Sequence, residues 1–247
     1  MKGKLIKATI NLFCLPFAGG NRYSYQKYLE NASPLLKIIP IEYPGRGSRV
    51  MEPQAAGIHE LVDDLYHRIS NSIDQSDYAI YGHSMGGLVG YLLARKLIEC
   101  NHRLPLRLFI TGASAPSSPA RAAVARHSLP RKELIEELKR LDGTPDELLY
   151  NEDLLEYISP IVRADFKICE EYQYVQLPPL KIPFTVVTGE QEGIETADVR
   201  LWQKETECDV DFIKMPGRHF FIFQEPNAIM NIISEKLFVS NNVVSYE

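Results

Sequence analysis

The chain has 247 residues, 45% apolar and 24% charged, which is ordinary globular usage and enough length for a single full α/β core over 1–247. Its 27 basic against 32 acidic residues give a formal charge of -5 at pH 7, so no broad basic surface for nucleic acid is expected. Cys14, Cys100, Cys169 and Cys208 lie far apart with no C-x-x-C pair, a pattern that speaks against a metal centre and for a reduced, intracellular chain.

The first apolar run, residues 7–15, reads as a strand rather than a signal peptide, because the N-terminal stretch contains Lys7 and Asn11 and lacks a small-residue cleavage site. It ends in Pro16-Phe17-Ala18-Gly19-Gly20 and is followed by NRYSYQKYLE, which gives strand, glycine loop, helix. A second strand, LLKIIPIEYPG, is interrupted by Pro40, which predicts a sheet edge or a bulge. Residues 57–73 place Ile58, Leu61, Val62, Leu65 and Ile69 at helical spacing, the pattern of an amphipathic helix on one sheet face. Tyr78-Ala79-Ile80-Tyr81 then leads into Gly82-His83-Ser84-Met85-Gly86, and a helical pattern runs over 87–99.

Further strands are LRLFITGAS from Leu106, IPFTVVTGE from Ile182 and the shorter DVDFIKMPG before His219; the last helix spans 226–238 with Pro226 at its first position. This alternation implies a mostly parallel sheet flanked by helices. Residues 115–179 break the rhythm: Pro116, Pro119 and Pro130 punctuate the start, two helical stretches follow, and no comparable strand appears. They read as a helical insertion above the carboxyl ends of the strands, where open α/β sheets bind ligands. It is either a lid or a fixed elaboration. No apolar run reaches the roughly eighteen residues needed to cross a bilayer, and a cytoplasmic protein is expected.

The run 82–86 is a G-x-S-x-G nucleophile elbow with the flanks such a turn needs, a strand before and a helix after. A serine hydroxyl requires a base, and His219 in PGRHFF, just past a short strand near the end of the chain, is the best placed. His59 and His67 fall on a helix, His102 and His127 lie in polar segments, and His83 is locked into the elbow. The orienting acid comes from TVVTGEQEGIETADVRLW. Glu192, just past the strand end, is preferred; the alternative is Asp198, in the first turn of a helix capped by Thr196, where an acid is often only a favourable end charge. One oxyanion donor is expected from the N–H of Met85 and the other from the first strand-to-helix loop, at Phe17 or Ala18. The side chains of Phe17 and Met85 either border an acyl site or serve the core. No metal site is expected, and the glycine loop matches neither G-x-x-x-x-G-K-[ST] nor G-x-G-x-x-G.

FCLPFAGG at 13–20, EYPGRGSR at 42–49, YGHSMGG at 81–87 and PGRHFF at 216–221 resemble the type II thioesterases associated with nonribosomal peptide and polyketide synthesis. The similarity spans nearly the whole chain in the expected order. It implies an α/β hydrolase that removes misloaded or stalled acyl groups from the phosphopantetheine arms of carrier domains, with no cofactor of its own. Ser84 and His219 carry over directly. The family's acid is usually Asp in a G-x-x-D loop, where this chain has Gly189-Glu190-Gln191-Glu192. The resemblance also implies a helical lid matching 115–179, and Trp202 takes the place of a common tryptophan, here expected to pack. Arg46 and Arg49 of PGRGSR are candidates for a substrate entrance that meets phosphate or an acidic carrier surface, or else stabilise their loop. A monomer binding acyl or peptidyl carrier domains transiently is expected, with neither nucleic acid nor membrane as partner. Two other functions stay open: a free-standing carboxylesterase or lipase-like hydrolase, and a non-catalytic interaction protein on the same fold.

Overall fold

The computed structural model describes residues 9–73, 75–122, 125–144 and 146–238. Residues 7–8 of the expected first strand and 123, 124 and 145 of the helical insertion lie outside them. The elements in chain order are β1 (Ile10–Leu15), α1 (Gln26–Asn31), β2 (Leu36–Pro40), α2 (Ile58–Ile73), β3 (Tyr78–His83), α3 (Met85–Glu99) and β4 (Leu108–Thr111). There follow α4 (Arg131–Leu141), α5 (Asp146–Leu149), α6 (Glu152–Glu170), β5 (Phe184–Gly189), α7 (Thr196–Arg200), β6 (Asp211–Met215), α8 (Phe221–Gln224) and α9 (Pro226–Phe238).

The six strands form one sheet in the order β2-β1-β3-β4-β5-β6, and every neighbouring pair is parallel. Pro40 closes β2, an edge strand, opposite Cys14 of β1; a residue without an N–H is tolerated there because no further strand needs its donor. The period of two along each strand sorts side chains between two cores. Phe13 and Leu15 of β1 with Tyr78 and Ile80 of β3 face the core built with α2 and α3. Leu12 and Cys14 with Ala79 and Tyr81 face the core closed by α1 and α9. Trp202 is fully buried in the first core and donates its indole N–H to the Ala113 carbonyl at 2.9 Å, so it packs, as expected.

The chain runs from β1 outward to β2 and then returns to β3 on the other side of β1, so the carboxyl ends of β1 and β3 form the switch point at which open α/β sheets bind ligands. Between β4 and β5 the described residues form helices and short 3-10 turns and no strand, with one isolated bridge from Leu180 to Thr206. They carry a third, separate core of Leu134, Leu138, Leu149 and Val162. The second of the two expected helical stretches is divided at Tyr150 and Asn151: the Asn151 side chain caps α6 by accepting the Leu154 N–H at 3.0 Å. Among the described residues no helix is long and apolar enough to cross a membrane.

Candidate active site

Ser84 sits between β3 and α3 with φ 55° and ψ -115°, in the left-handed half of backbone space that costs a non-glycine residue free energy. Its surroundings hold it there. The Ser84 N–H donates to the Thr111 carbonyl at 2.8 Å, and its carbonyl accepts from Gly87 at 3.0 Å. The turn is tight enough that a Cβ on Gly82 would lie 2.0 Å from the Gly86 carbonyl oxygen, and one on Gly86 2.2 Å from that of Leu15. Glycine at both positions is therefore a steric requirement of the elbow.

His219 follows β6, and its Nδ1 lies 2.5 Å from Glu192 Oε1. The second oxygen, Glu192 Oε2, accepts the Gly189 N–H at 2.9 Å, so the carboxylate is fixed from both sides. Its loop is tied to that of His219 through Gln191 N–H to the Gly217 carbonyl at 3.0 Å, and Gly193 has φ +77°, the conformation that lets this loop turn back with the longer acid. Asp198 does not reach the imidazole. It accepts from Ser118 Oγ at 2.7 Å, and its carbonyl accepts the Ala115 N–H, so it stitches the chain after β4 to α7. The cap of α7 also differs from expectation. Glu195 occupies the N-cap without a side-chain bond, and Thr196 is the first helical residue, its hydroxyl taken by Lys214 at 3.3 Å.

His83 is fully buried, its ring 4.8 Å from that of His219, and its Nδ1 lies 3.0 Å from Thr111 Oγ1. Burial first, and then the neighbouring His219, hold its pKa well below the usual histidine value. It stays neutral beside the base. His127 pairs with Glu170 at 2.6 Å in the helical cover.

Two cavities of about 330 Å³ each open on Ser84 and His219, and Ala18, Leu141 and Phe166 also border both. One is apolar, walled by Phe17, Leu138, Ile158, Val162, Phe220 and Phe223. The Phe17 ring packs edge-on against Phe220 with centroids 4.8 Å apart, so this side chain borders the cavity, while Met85 is buried in the core against α2 and α3 and lines the other cavity. That second cavity is more polar, bordered by Arg121, Arg126, Arg140, Glu170, Glu195 and Asp198 as well as by apolar side chains. Arg126 and Arg140 are both paired with Glu137 at 2.7 Å. Among the described residues, Arg121 Nε is buried without a hydrogen-bond partner, and Nη1 donates to the Ser114 carbonyl at 3.4 Å. Burial lowers its pKa from the ordinary guanidinium value.

Arg46 and Arg49 do not form an entrance. They are 4% and 6% exposed, and protein carboxylates take the terminal nitrogens of Arg46 (Asp165 at 2.5 and 2.6 Å) and the donors of Arg49 (Asp64 at 2.6 and 2.7 Å, and Glu52), while Arg46 Nε has no partner among the described residues. A guanidinium so neutralised and desolvated offers no charge to a phosphate or an acidic surface. Arg121, with its uncommitted donor, and Asp165 were not singled out in the sequence. Asp165 left one signal, a lone carboxylate in the buried stripe Ile161, Val162, Asp165, Ile168 of α6.

A model of the thioesterase domain family matches residues 10–237. Linear gramicidin dehydrogenase LgrE from Brevibacillus parabrevis is 33% identical over 235 residues, covering 94% of this chain and 89% of that protein. That name denotes a redox activity, whereas the matched family model is a hydrolase's and the present sequence has no G-x-G-x-x-G dinucleotide fingerprint. Among solved structures, ClbQ from the colibactin NRPS/PKS pathway superposes with a TM-score of 0.89 at 28% identity, covering 96% of this chain and 100% of that one. BorB, a type II thioesterase from the borrelidin biosynthetic cluster, gives a TM-score of 0.84 at 30% identity over 93% of each chain.

Proposed function

The chain belongs to the thioesterase family and is a serine thioester hydrolase, and from that premise we propose that it removes acyl, aminoacyl or peptidyl groups from the phosphopantetheine arms of carrier domains in nonribosomal peptide or polyketide assembly. The observation that carries this reading is the pair of unlike cavities meeting at Ser84, one largely apolar and the other bordered by charged side chains. A thioester carried on such an arm has the same division: a largely apolar acyl chain on one side of the carbonyl, an amide-rich arm on the other. In this reading the apolar cavity takes the acyl chain, and the cavity lined by Arg121 takes the arm.

The chemistry needs only the chain's own groups. Ser84 Oγ attacks the thioester carbonyl as His219 Nε2 takes its proton, while Glu192, held by the Gly189 N–H, keeps Nδ1 protonated and pointed away. The N–H of Met85 and one from the first strand-to-helix loop, at Phe17 or Ala18, donate to the oxyanion. The C–S bond breaks, the imidazolium protonates the departing thiolate, and Ser84 holds the acyl group as an ester. Water, deprotonated by His219, then releases the acid and returns the proton to Ser84.

Carrier recognition is local and transient, as suits an enzyme that must leave each carrier quickly. Leu154 and Tyr157 of α6 are 47% and 58% exposed, an apolar pair on the cover where a partner can rest. One acyl group is to be compared on a carrier domain, on free pantetheine and as the equivalent oxygen ester. The expected result is a kcat/KM about tenfold higher on the carrier than on pantetheine, with the Tyr157→Glu variant losing that gain and keeping its rate on pantetheine. Equal kcat/KM on carrier and pantetheine sinks carrier recognition; preference for the oxygen ester makes the protein a carboxylesterase in practice.

A further inference from the structure

The glycine loop after β1 carries the first-loop oxyanion donor, and it is held by a residue of the cover. Gly19, at φ +77°, donates its N–H to Asp165 Oδ2 at 2.7 Å. The same carboxylate takes both terminal nitrogens of Arg46, and Arg46 Nη1 also donates to the Gly20 carbonyl at 3.2 Å. Asp165 and Arg46 are both buried. The loop and α6 are in close contact as well: a Cβ on Gly19 would come within 2.7 Å of Val162 Cγ2, one turn before Asp165.

We propose that Asp165 is a positioning residue that holds the 17–20 loop in the geometry needed for oxyanion stabilisation, so that α6 and the catalytic loop move as one body. The physical ground is the cost of parting them. Separating α6 from the loop strands a buried guanidinium, a buried carboxylate and the Gly19 N–H together, and breaking a buried pair from one side is strongly destabilising. Any opening of the cover therefore involves α4 and α5 while α6 stays in place, or else it dismantles the oxyanion site. Asp165 touches neither substrate nor nucleophile; it acts through the backbone of Gly19 and through Arg46.

This inference rests on the thioesterase reading of Ser84, and the test separates the two. Asp165→Asn keeps an acceptor for Gly19 but loses the charge opposite Arg46, and Asp165→Ala removes both. For each variant and for the unaltered protein, kcat and KM are measured on an acyl-pantetheine. Alongside them is measured the affinity for an alkyl boronic acid, which adds to Ser84 Oγ as a tetrahedral anion, and for the thioether analogue of the substrate, which lacks the carbonyl. The expected result is a fall of about 10²-fold in kcat and in boronate affinity for Asp165→Ala, smaller for Asp165→Asn, with KM and thioether affinity within about threefold of the original. Folded variants with unchanged kcat and boronate affinity, or with equal losses for boronate and thioether, overturn the proposal. Should neither variant fold, amide hydrogen exchange of the unaltered protein decides: Gly19 is expected to be as protected as the amides around Asp165, and fast exchange at Gly19 beside a protected α6 refutes it. If the unaltered protein fails to hydrolyse the thioester, the assignment of function falls, while boronate affinity and exchange still judge Asp165.

Discussion

The carboxyl edge of the sheet and the helical cover above it are held by different physics. At the edge, Ser84 and Glu192 are set by backbone groups, the Thr111 carbonyl on Ser84, the Gly189 amide on Glu192 and the Gly217 carbonyl on the acid loop, and Glu192 in turn holds His219. The cover holds itself by a small core of Leu134, Leu138, Leu149 and Val162 and by side-chain ion pairs such as Arg126 with Glu137. Backbone contacts survive most side-chain changes, whereas the cover's contacts depend on which side chain stands where. The catalytic candidates are thus set at the edge, and the cover, Asp165 apart, meets them chiefly through the side chains that line the two cavities.

The largest expected effect breaks the edge itself. Glu192→Gln should lower kcat by about 10⁴-fold with the fold preserved, since an amide cannot hold the imidazole tautomer as a carboxylate does. Asp198→Asn should change kcat by less than about tenfold, because Asp198 serves Ser118 and not His219. Steady-state kinetics with thermal melts of both variants check the assignment, and the opposite ranking would move the acid to α7.

A cover substitution should instead shift selectivity. Ile158→Trp fills the apolar cavity from α6, so kcat/KM for medium-chain acyl-pantetheines should fall by about 10- to 100-fold while that for acetyl stays within about threefold. An equal loss for both chain lengths would show that the cavity does not hold the chain.

The smallest effect concerns pH. His83 at the edge is held neutral in the folded chain by burial and by His219, while in the unfolded chain it takes a proton below about pH 6.5. The unfolded state then binds more protons than the folded one. Stability should be fully present above pH 6.5 and decline below it, by up to about 1.4 kcal/mol per pH unit from this residue. Denaturant titrations at pH 7.5 and 5.5 should show a shallower decline for His83→Gln than for the unaltered protein; parallel declines would assign the pH dependence to other groups.

The edge was legible in the sequence because its constraints are local. Gly82, Ser84 and Gly86 lie within one turn, Pro40 marks the edge strand by lacking a donor, and Gly189 and Glu192 sit on one short loop. The cover was legible only as helical composition. Its ties to the sheet join residues far apart in sequence, Arg46 to Asp165 and Gly19 to Asp165, and no periodicity reports which partner a charged side chain will find. The sequence therefore leaves Arg46 and Arg49 open between an entrance and a stabilised loop, and their burial and ion pairs fit the second. The capping of α7 by Glu195 in place of Thr196 is a one-residue shift of the kind helix ends commonly show.

The proposed activity requires Ser84 to be the nucleophile toward a carrier-borne thioester. Intact-protein mass spectrometry after rapid acid quench, with an acyl-carrier domain and either the unaltered enzyme or Ser84→Ala, reads this directly. The expected result is release of free carrier thiol, with the acyl mass found transiently on the peptide containing Ser84 in the unaltered enzyme, and neither adduct nor release with a folded Ser84→Ala variant. Release of the carrier thiol at an undiminished rate by that variant would contradict the account.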